Sequence, residues 1–441
     1  MKKAQVSKVL DSILKSKPGP GIDNINVGCI KRSKLQKQYI DIAYQVLRGK
    51  KDFSFSKYKQ ILKVKGREKF PRVISVPTIR DRLILKCVHD EHLNIIKRPK
   101  FNEIISNINL YLVSHKFDSY ISFDISKFYD SIDIDILLKK LKDEKINKNI
   151  IDIIEKAVLT GTFEQSTNRK VFKKTKIERT GVPQGIIISN ALGELYLKDF
   201  DQYFNKKKTI KFFRFVDDII ILFDSKIDNK KDLENEIKIK LSEISLHLNE
   251  TKTKSGSTTE EICFLGYVFL ENKITVKKET IYAKEKQIER LVFDTIRAKN
   301  TKVKCNMDLL LWKLNNNIAG FVSGEKIYGW VQVYRLVNDE TIFYKLDATL
   351  RKIFKRAGVK MPDGLKHFSK AHYYLSQGDI SYSINFDKLY HTTTQKRDLL
   401  IKLFSISKGT KAGVVNDLFR MLVTKTIYDA EKDLDFKYEI H

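Results

Sequence analysis

The 441-residue chain carries 83 lysines and arginines against 54 aspartates and glutamates, a net charge of +29, and 42% of its residues are hydrophobic. That hydrophobic content excludes a disordered chain, and the excess of positive charge indicates a polyanionic partner, most simply nucleic acid. No stretch approaches the ~20 apolar residues of a membrane span, the first residues contain no apolar signal core, and the cysteines form no Cys-x-x-Cys pair. These absences predict a cytoplasmic protein without a membrane partner, a zinc site or a disulfide framework.

The first half of the chain alternates helical and strand-like patterns. Prolines and glycines at residues 17–21 end the first helix, and a polar, hairpin-like segment at 161–180 precedes the glycines of residues 181–185. The predicted elements in chain order are a helix at 6–13, a strand at 71–77, a helix at 79–96, a strand at 120–123, a helix at 134–159 and a helix at 189–204.

Three aspartates lie where predicted strands end. Two apolar runs, 210–215 and 219–223, flank Asp217 and Asp218, which predicts two strands joined by a tight acidic turn. Asp124 directly follows an earlier strand. An Asp-Asp pair between two strands is, by itself, more typical of a solvated hairpin turn. Three carboxylates on adjacent strand ends, however, suit a pair of divalent metal ions that drive phosphoryl or nucleotidyl transfer.

The second half of the chain is mostly helical. A charged amphipathic helix is predicted at 231–246, a short hairpin follows residues 261–267, and helical patterns resume from about Lys284. A weaker break lies near residues 358–364, after which helix is mixed with tyrosine-containing loops. The sequence shows no internal repeat and no low-complexity linker.

Seven segments between about residues 17 and 270 resemble, in the correct order, the motifs of bacterial reverse transcriptases. They include Phe-Asp-Ile-Ser at 123–126, Gly-Val-Pro-Gln-Gly at 181–185 and Phe-Val-Asp-Asp at 215–218. The palm motifs span 123–132, 181–185 with 189–190, 215–218, 246–253 and 264–267, the last being the primer grip, and the finger motifs span 21–24 and 76–82.

The resemblance implies an α+β fold, the right-hand polymerase. In that fold, fingers and a palm with an antiparallel sheet precede a helical thumb and a C-terminal domain. We expect fingers and palm over residues 1–270, a maturase-like helical thumb over 271–360, and a C-terminal domain of unknown role over 361–441.

The resemblance also implies a nucleotidyltransferase that adds dNTPs to a primer with two Mg²⁺ ions, for which Mn²⁺ is a substitute. One ion lowers the pKa of the attacking hydroxyl and the other neutralises the leaving pyrophosphate, and hard Mg²⁺ takes oxygen ligands. Asp124 and Asp217 are expected to bridge both ions, with Asp218 and the backbone carbonyl of Ile125 as further ligands. Lys252 matches a lysine that protonates pyrophosphate, and a solvated lysine is the alternative.

The remaining predicted site residues position the nucleotide and the primer. Tyr129 matches the family's bulky aromatic that excludes a 2′-hydroxyl, and a core tyrosine is the alternative. Gly185 lets the backbone approach the nucleotide and template closely. Gln184 is implied to meet the base or sugar of the nucleotide. Arg72 and Arg80 are implied to bind the triphosphate, with Arg82 beside them, and a surface position is the alternative for each arginine. The primer grip consists of Phe264, Leu265 and Gly266.

Two features look more like the reverse transcriptases of antiphage defence, including the abortive-infection type and the wider unknown group. Retroelement enzymes usually begin the third palm motif with tyrosine, where this chain has Phe215, and residues 188–201 also look more like the defence enzymes. The implied partners are an RNA template or noncoding RNA, dNTPs and a DNA product, and a homo-oligomer is left open. Some relatives synthesise DNA without a template from their own tyrosine, so priming by a tyrosine of the protein also stays open, with the options Tyr373, Tyr374, Tyr382 and Tyr390.

Two other functions remain as alternatives. One is a group II intron- or retron-like reverse transcriptase that copies the RNA of its own element. The other is an RNA-binding maturase whose palm is a relic, against which the intact aspartates argue.

Overall fold

The computed structural model describes residues 1–16, 18–32, 34–63, 71–96, 99–167, 178–297 and 306–432. The chain forms two compact units. The first contains Met1–Ile104 and Lys116–Ser257, and the second contains Ile105–His115 and Thr258–His441.

The first unit combines helices with two sheets. Its helices are α1 (Lys3–Lys15), α2 (Val27–Arg32), α3 (Leu35–Leu47), α4 (Ile79–Val88), α5 (Phe101–Val113, of which the residues from 105 onward belong to the second unit), α6 (Phe128–Ser131), α7 (Ile134–Asp143), α8 (Lys148–Val158), α9 (Ser189–Lys206) and α10 (Lys230–Ser242). Its strands are β1 (Tyr58–Lys63), β2 (Arg72–Val76), β3 (Ser119–Asp124), β4 (Thr162–Phe163), β5 (Ile210–Phe215), β6 (Asp218–Phe223) and β7 (Lys254–Ser257).

The helices of the first unit form because apolar residues recur on one face of each of them. In α1 that face is Val6, Leu10, Ile13 and Leu14, all of which are buried. These side chains join those of the other helices and of the sheet in one continuous hydrophobic core. Burial of such side chains is the main free-energy gain that holds the unit together.

Two predicted helices differ from the continuous helices that their apolar period indicates. The helix predicted at 79–96 ends at Val88, and one π-helical turn follows it. The helix predicted at 134–159 is in fact α7 and α8, because Lys145 adopts a φ of +58° and the side chain of Asn147 caps the second helix by accepting from the amide of Asn149 at 2.9 Å. Of the hairpin-like segment predicted at 161–180, residues 168–177 lie outside the described part of the chain.

The larger sheet is antiparallel, with strand order β5-β6-β3-β7. Strand β6 is central and contains buried apolar residues from 219 to 223, whereas β7 is short and lies at an edge. A smaller sheet pairs β1 antiparallel with β2 and parallel with β4. The predicted hairpin over residues 210–223 and the predicted α+β class are therefore confirmed.

The second unit is mostly helical, with short strands. Its strands are β8 (Ile262–Phe264), β9 (Tyr267–Leu270), β10 (Lys273–Val276), β11 (Phe321–Ser323), β12 (Lys326–Tyr328) and β13 (Ile384–Asn385). Its helices are α11 (Lys278–Arg297), α12 (Met307–Ala319), α13 (Trp330–Val333), α14 (Thr341–Arg356), α15 (Phe368–Ser376), α16 (Phe386–Leu389), α17 (Thr393–Phe404) and α18 (Ala412–Lys432).

Stacked aromatic rings form one core of the second unit. The rings of Trp312 and Phe386 lie 5.2 Å apart and nearly parallel, and Phe321 stacks on Phe386 at 4.9 Å. These three aromatic rings are therefore core side chains. None of the described helices is both long enough and apolar enough to cross a bilayer.

Candidate active site

The pairing of β3 with β6 brings two of the predicted aspartates face to face. In the register of these strands, Asp124 stands directly opposite Asp218, and Asp217 occupies the turn that precedes β6. The amide of Ile125 donates to the backbone carbonyl of Asp217 at 3.1 Å, which extends the contact past the end of the ladder. The sheet therefore places the three carboxylates at one end of two neighbouring strands.

The turn that carries Asp217 is conformationally strained. It joins β5 to β6 through two residues, and the first of them, Val216, has a φ of +57°. A positive φ at the first loop position is usual for glycine in a type II′ hairpin and is rare for a β-branched residue. Such strain costs of order 1–3 kcal/mol and persists only where the surroundings impose it.

The surroundings impose it through Arg214, a buried side chain that is 4% exposed. Its Nη1 donates to the backbone carbonyl of Val216 at 2.9 Å. Its Nε donates to Asp201 at 2.7 Å and its Nη2 donates to Glu194 at 2.6 Å, so two carboxylates of α9 hold the guanidinium. Sequence reasoning missed this role, although a charged residue inside an apolar strand was the available signal.

The carboxylates of the site are poorly solvated. Asp124 is 6% exposed and Asp217 is 7% exposed. Burial, followed by repulsion from Asp124, raises the pKa of Asp218 to about 7, and the nearby ammonium of Lys252 opposes this rise. Such a raised pKa is typical of carboxylates forced together in a functional site.

Lys252 contacts Asp124, and its role toward pyrophosphate stays a prediction. Its Nζ donates to Oδ2 of Asp124 at 2.9 Å. Asn249 supports the same residue, because its amide donates to the Asp124 carbonyl at 2.8 Å and its Nδ2 lies 3.3 Å from Oδ2. The segment that carries Lys252 is therefore bound to the end of β3.

The carboxylates suit a divalent cation, although they do not enclose one by themselves. Among the described residues, no three acidic, histidine or cysteine side chains come together in a group able to hold a metal ion. Mg²⁺ usually takes one or two protein carboxylates and completes its shell with water and substrate phosphates, so an open arrangement is compatible with it. The raised pKa of Asp218 also reflects repulsion that a bound cation would relieve. Asp124, Asp217, Asp218 and the carbonyl of Ile125 remain the predicted ligands.

Tyr129 has a fixed orientation near the glycine-rich second motif. Its hydroxyl donates to Oδ1 of Asn190 at 2.9 Å. Its ring packs where Gly193 leaves room, since a Cβ there would lie 3.3 Å from Cε1 of Tyr129. The tyrosine is partly buried and packs against the hydrophobic core, and its role as the sugar gate stays a prediction.

Gln184 and Gly185 form a turn that rests on β2. The amide of Ser75 donates to the carbonyl of Gln184 at 2.7 Å. Gly185 has a φ of +98°, and a Cβ on it would approach Cγ2 of Ile74 to 2.6 Å, so this position requires glycine. Strand β2 therefore carries Arg72 at its first residue and contacts the turn of Gln184 and Gly185 at Ser75. All three of Arg72, Gln184 and Gly185 are predicted to contact the nucleotide.

The structure separates the predicted arginines. The Arg80 guanidinium donates from Nε to the buried Asp81 at 2.8 Å and stacks on the ring of Phe53 at 4.6 Å. Its donors are therefore largely occupied within the protein. Burial lowers the pKa of Arg82, and the side chain makes no hydrogen bond or ion pair with another described residue. Of the two, Arg82 has the donors available for a phosphate.

The predicted primer grip belongs to the second unit. Phe264 ends β8, and Leu265 and Gly266 form the tight turn to β9 with φ values of +50° and +76°. The amide of Lys277 donates to the carbonyl of Gly266 at 3.4 Å. A contact of this turn with a primer stays a prediction.

Residues 61–269 match the family described as reverse transcriptase (RNA-dependent DNA polymerase). The chain is similar to protein YkfC of Escherichia coli, with 21% identity over 58% of this chain and 74% of YkfC. It is also similar to the COX1/OXI3 intron 1 protein of Saccharomyces cerevisiae, with 24% identity over 68% of this chain and 42% of that protein. The chain thus spans less than half of the yeast relative.

Solved structures of telomerases show a distant likeness. Apo telomerase from Candida tropicalis has a TM-score of 0.42 and 15% identity, and the match covers 83% of this chain and 69% of that one. Telomerase from Candida albicans in complex with a TWJ fragment of telomeric RNA has a TM-score of 0.40 and 13% identity over 94% and 70% of the two chains.

Residues 61–269, which contain all three aspartates, therefore form a reverse transcriptase domain. The predicted fold class and the predicted nucleotidyltransferase class are confirmed. The match does not reach the antiphage subtype.

Proposed function

We propose that this chain is a DNA polymerase that copies RNA and uses dNTPs as substrates. The observation that carries the proposal is the pairing of Asp124 with Asp218 across β3 and β6, with Asp217 in the adjoining turn, inside the reverse transcriptase domain. A binding protein gains nothing from buried carboxylates such as Asp124 and Asp218 that repel each other, whereas a two-metal transferase requires carboxylates at this place.

In this reaction the primer 3′-hydroxyl attacks the α-phosphate of a dNTP, a new phosphodiester forms, and pyrophosphate leaves. Asp124, Asp217 and Asp218 would hold the Mg²⁺ ions, whose charge would lower the pKa of the attacking hydroxyl and neutralise the leaving pyrophosphate. Lys252 then exchanges its hydrogen bond to Asp124 for the pyrophosphate and donates a proton to it.

The substrate is held by the second motif and its neighbours. The turn at Gln184 and Gly185 brings the backbone close to the nucleotide, and Arg72 on β2 and Arg82 on α4 supply positive charge for the triphosphate. The ring of Tyr129, fixed by Asn190, fills the space that a 2′-hydroxyl would need.

A primer-extension assay tests the proposal. The purified chain receives Mg²⁺, labelled dNTPs and an RNA template annealed to a DNA primer, and is compared with Asp217→Ala/Asp218→Ala. We expect the double variant to lose several orders of magnitude in incorporation because it removes metal ligands. Asp232→Ala, which removes an exposed carboxylate on α10, is the matched control and should extend the primer normally. Equal incorporation by the double variant and the wild type would refute the assignment.

The same assay decides between templated and template-independent synthesis. Label that requires RNA indicates templated copying, and the sequence of the product identifies the template. Label that survives removal of RNA and shifts on a gel after protease treatment indicates a primer that is part of the protein. Of the tyrosines left open from the sequence, Tyr373 is the most exposed, at 60%, whereas Tyr374, Tyr382 and Tyr390 are partly buried.

We also propose that the polymerase acts in antiphage defence with an associated noncoding RNA. Support comes from Phe215 and from residues 188–201, which look more like the defence enzymes than like retroelement ones. Phage plating on bacteria that express the chain or Asp217→Ala/Asp218→Ala tests it. We expect fewer plaques with the wild-type chain alone, and equal plaque counts would contradict a defence role.

The second candidate is a group II intron-like reverse transcriptase. The similarity to the yeast intron 1 protein favours it. A cellular DNA product that copies the RNA flanking the chain's own coding sequence would support this candidate.

A further inference from the structure

Three tyrosines and two lysines gather around the beginning of α15 in the second unit. The rings of Tyr374 and Tyr382 are stacked, with centroids 5.5 Å apart and planes at 16°. Tyr373 stands edge-on to Tyr374 at 5.7 Å and leaves 60% of its surface exposed. We call Lys366, Lys370, Tyr373, Tyr374 and Tyr382 the tyrosine–lysine cluster.

Both lysines of the cluster lie over the same ring. The Nζ of Lys366 is 4.0 Å from the centroid of Tyr382, and that of Lys370 is 5.3 Å from it. Lys366 also donates to the carbonyl of Tyr382 at 2.8 Å, which fixes its ammonium in place. Two positive charges are thus held together on an aromatic platform.

Little negative charge opposes these lysines. Neither ammonium forms an ion pair with a described residue. Asp347 faces Tyr382, but it is 4% exposed and accepts from the backbone amides of Phe368 and Ser369, so its charge is directed to the N-terminus of α15. The pKa of Lys366 is lowered by burial and then by the positive charge of Lys370.

We propose that the tyrosine–lysine cluster binds single-stranded nucleic acid. A base would stack on the exposed ring of Tyr373, which the stacked pair of Tyr374 and Tyr382 supports from behind, and Lys366 and Lys370 would contact the adjacent phosphate. Surfaces that combine aromatic rings with positive charge bind single strands in this way, and a duplex cannot offer an unstacked base. The cluster lies outside residues 61–269, so it is a contact additional to the polymerase domain and does not depend on polymerase activity.

Binding of labelled oligonucleotides to the full chain in EDTA tests this inference. Fluorescence anisotropy with dT20 and, separately, rU20 measures the Kd across a salt series. Loss of one stacked base weakens binding by at least about five-fold, so Tyr373→Ala should raise the Kd by that factor, while Tyr373→Phe, which keeps a ring, should not. Lys366→Gln/Lys370→Gln should also reduce the slope of log Kd against log salt by about 0.7, the value for the one phosphate that both lysines contact.

Matched variants on α14 test whether loss of any exposed tyrosine, or of any two exposed lysines, weakens binding to the same extent. Tyr344→Ala removes another exposed tyrosine, and Lys345→Gln/Lys352→Gln removes two exposed lysines. If either control weakens binding as much as its counterpart in the cluster, or if the cluster variants bind like the wild type, the inference is overturned. Preference for dT20 or rU20 identifies the natural strand as DNA or RNA.

The outcome is independent of the proposed polymerase. The binding measurement in EDTA requires neither divalent metal ions nor dNTPs. A chain that binds through the cluster but incorporates no dNTP would contradict the proposed function alone, and a chain that polymerises but shows no effect of the cluster variants would contradict this inference alone.

Discussion

Replacement of Arg214 by methionine is expected to affect the active site without touching a predicted metal ligand. Arg214→Met keeps much of the side-chain volume but removes the guanidinium that joins Glu194, Asp201 and the carbonyl of Val216. Two effects follow. The two carboxylates are left facing each other in the protein interior, and the strained turn that carries Asp217 loses its anchor.

The magnitude of the first effect follows from burial. Arg214 and Glu194 are nearly inaccessible, with 3% and 9% of their side-chain surfaces exposed. Removing one partner of such a buried ion pair costs about 3–5 kcal/mol, because the remaining charge is uncompensated. Burial already raises the pKa of Asp201, so this carboxyl should take up a proton once the guanidinium is gone. We therefore expect a loss of stability near the lower end of that range.

A triple variant separates stability from positioning. Arg214→Met/Glu194→Met/Asp201→Leu removes all three charges and should recover most of the stability, since apolar replacement of a buried ionic group is often neutral or stabilising. The carbonyl of Val216 still lacks its donor, so the turn is free to relax its positive φ and shift Asp217. Misplacement by about 1 Å lowers rates by about 100-fold.

Urea unfolding and primer extension measure the two effects. Lys211→Met, on the same strand β5, is the control for removal of a basic residue and should leave incorporation near the wild-type value. If the triple variant regains both stability and full incorporation, Arg214 serves only to neutralise the carboxylates, and its role in positioning the turn is refuted.

Three further changes have outcomes that follow from the structure. Tyr129→Ala should let the enzyme incorporate ribonucleotides, because the ring that Asn190 fixes no longer fills the space for a 2′-hydroxyl, and single-nucleotide extension with dNTPs and NTPs measures the ratio. Gly185→Ala should lower both stability and dNTP use, since the new Cβ would meet Ile74 at 2.6 Å in a backbone conformation with φ of +98°; thermal unfolding and KM for dNTP report the two losses. His372→Phe should make the stability of the protein less sensitive to acid. Burial lowers the pKa of His372, so below an ordinary histidine pKa of about 6.5 the unfolded chain binds more protons than the folded one, and the wild-type protein loses stability as the pH is lowered. Urea unfolding at pH 5 and pH 7.5 should show a smaller loss of stability in the variant.

Each of these expectations has a result that contradicts it. An unchanged preference for dNTPs in Tyr129→Ala would show that another residue excludes ribonucleotides. Normal stability and KM in Gly185→Ala would show that the turn moves away from β2 at no cost. An equal loss of stability in acid with and without His372 would place the responsible group elsewhere.

Local patterns in the sequence were enough to predict the enzyme class and the hairpin over residues 210–223 that carries Asp217 and Asp218. The apolar runs on either side of Asp217 and Asp218 bury their hydrophobic side chains when they pair as adjacent antiparallel strands, and this pairing places the two aspartates where the strands join. The same local reasoning placed Asp124 at the end of β3. The order of the motifs then indicated a reverse transcriptase domain, which the family match confirms.

Helix ends and the use of individual charges were decided by the tertiary structure. Periodicity could not show that residues 134–159 break into two helices, because the interruption depends on the backbone at Lys145 and on the cap by Asn147. Arg80 and Arg82 both neighbour Asp81 in the sequence, yet of the two it is the side chain of Arg80 that donates to this buried carboxylate.

The clearest case is strand β5, where Lys211 and Arg214 both interrupt an apolar run. Alternation alone does not say that Arg214 is buried and bonded to Glu194 and Asp201, since that depends on where α9 places these two carboxylates. The tyrosine–lysine cluster depends in the same way on residues 366–374 and 382 meeting in space. Local pattern therefore fixed the elements and the chemistry of the aspartates, while long-range packing, which brings together residues that are distant in the chain, decided which charges are paired and which remain available.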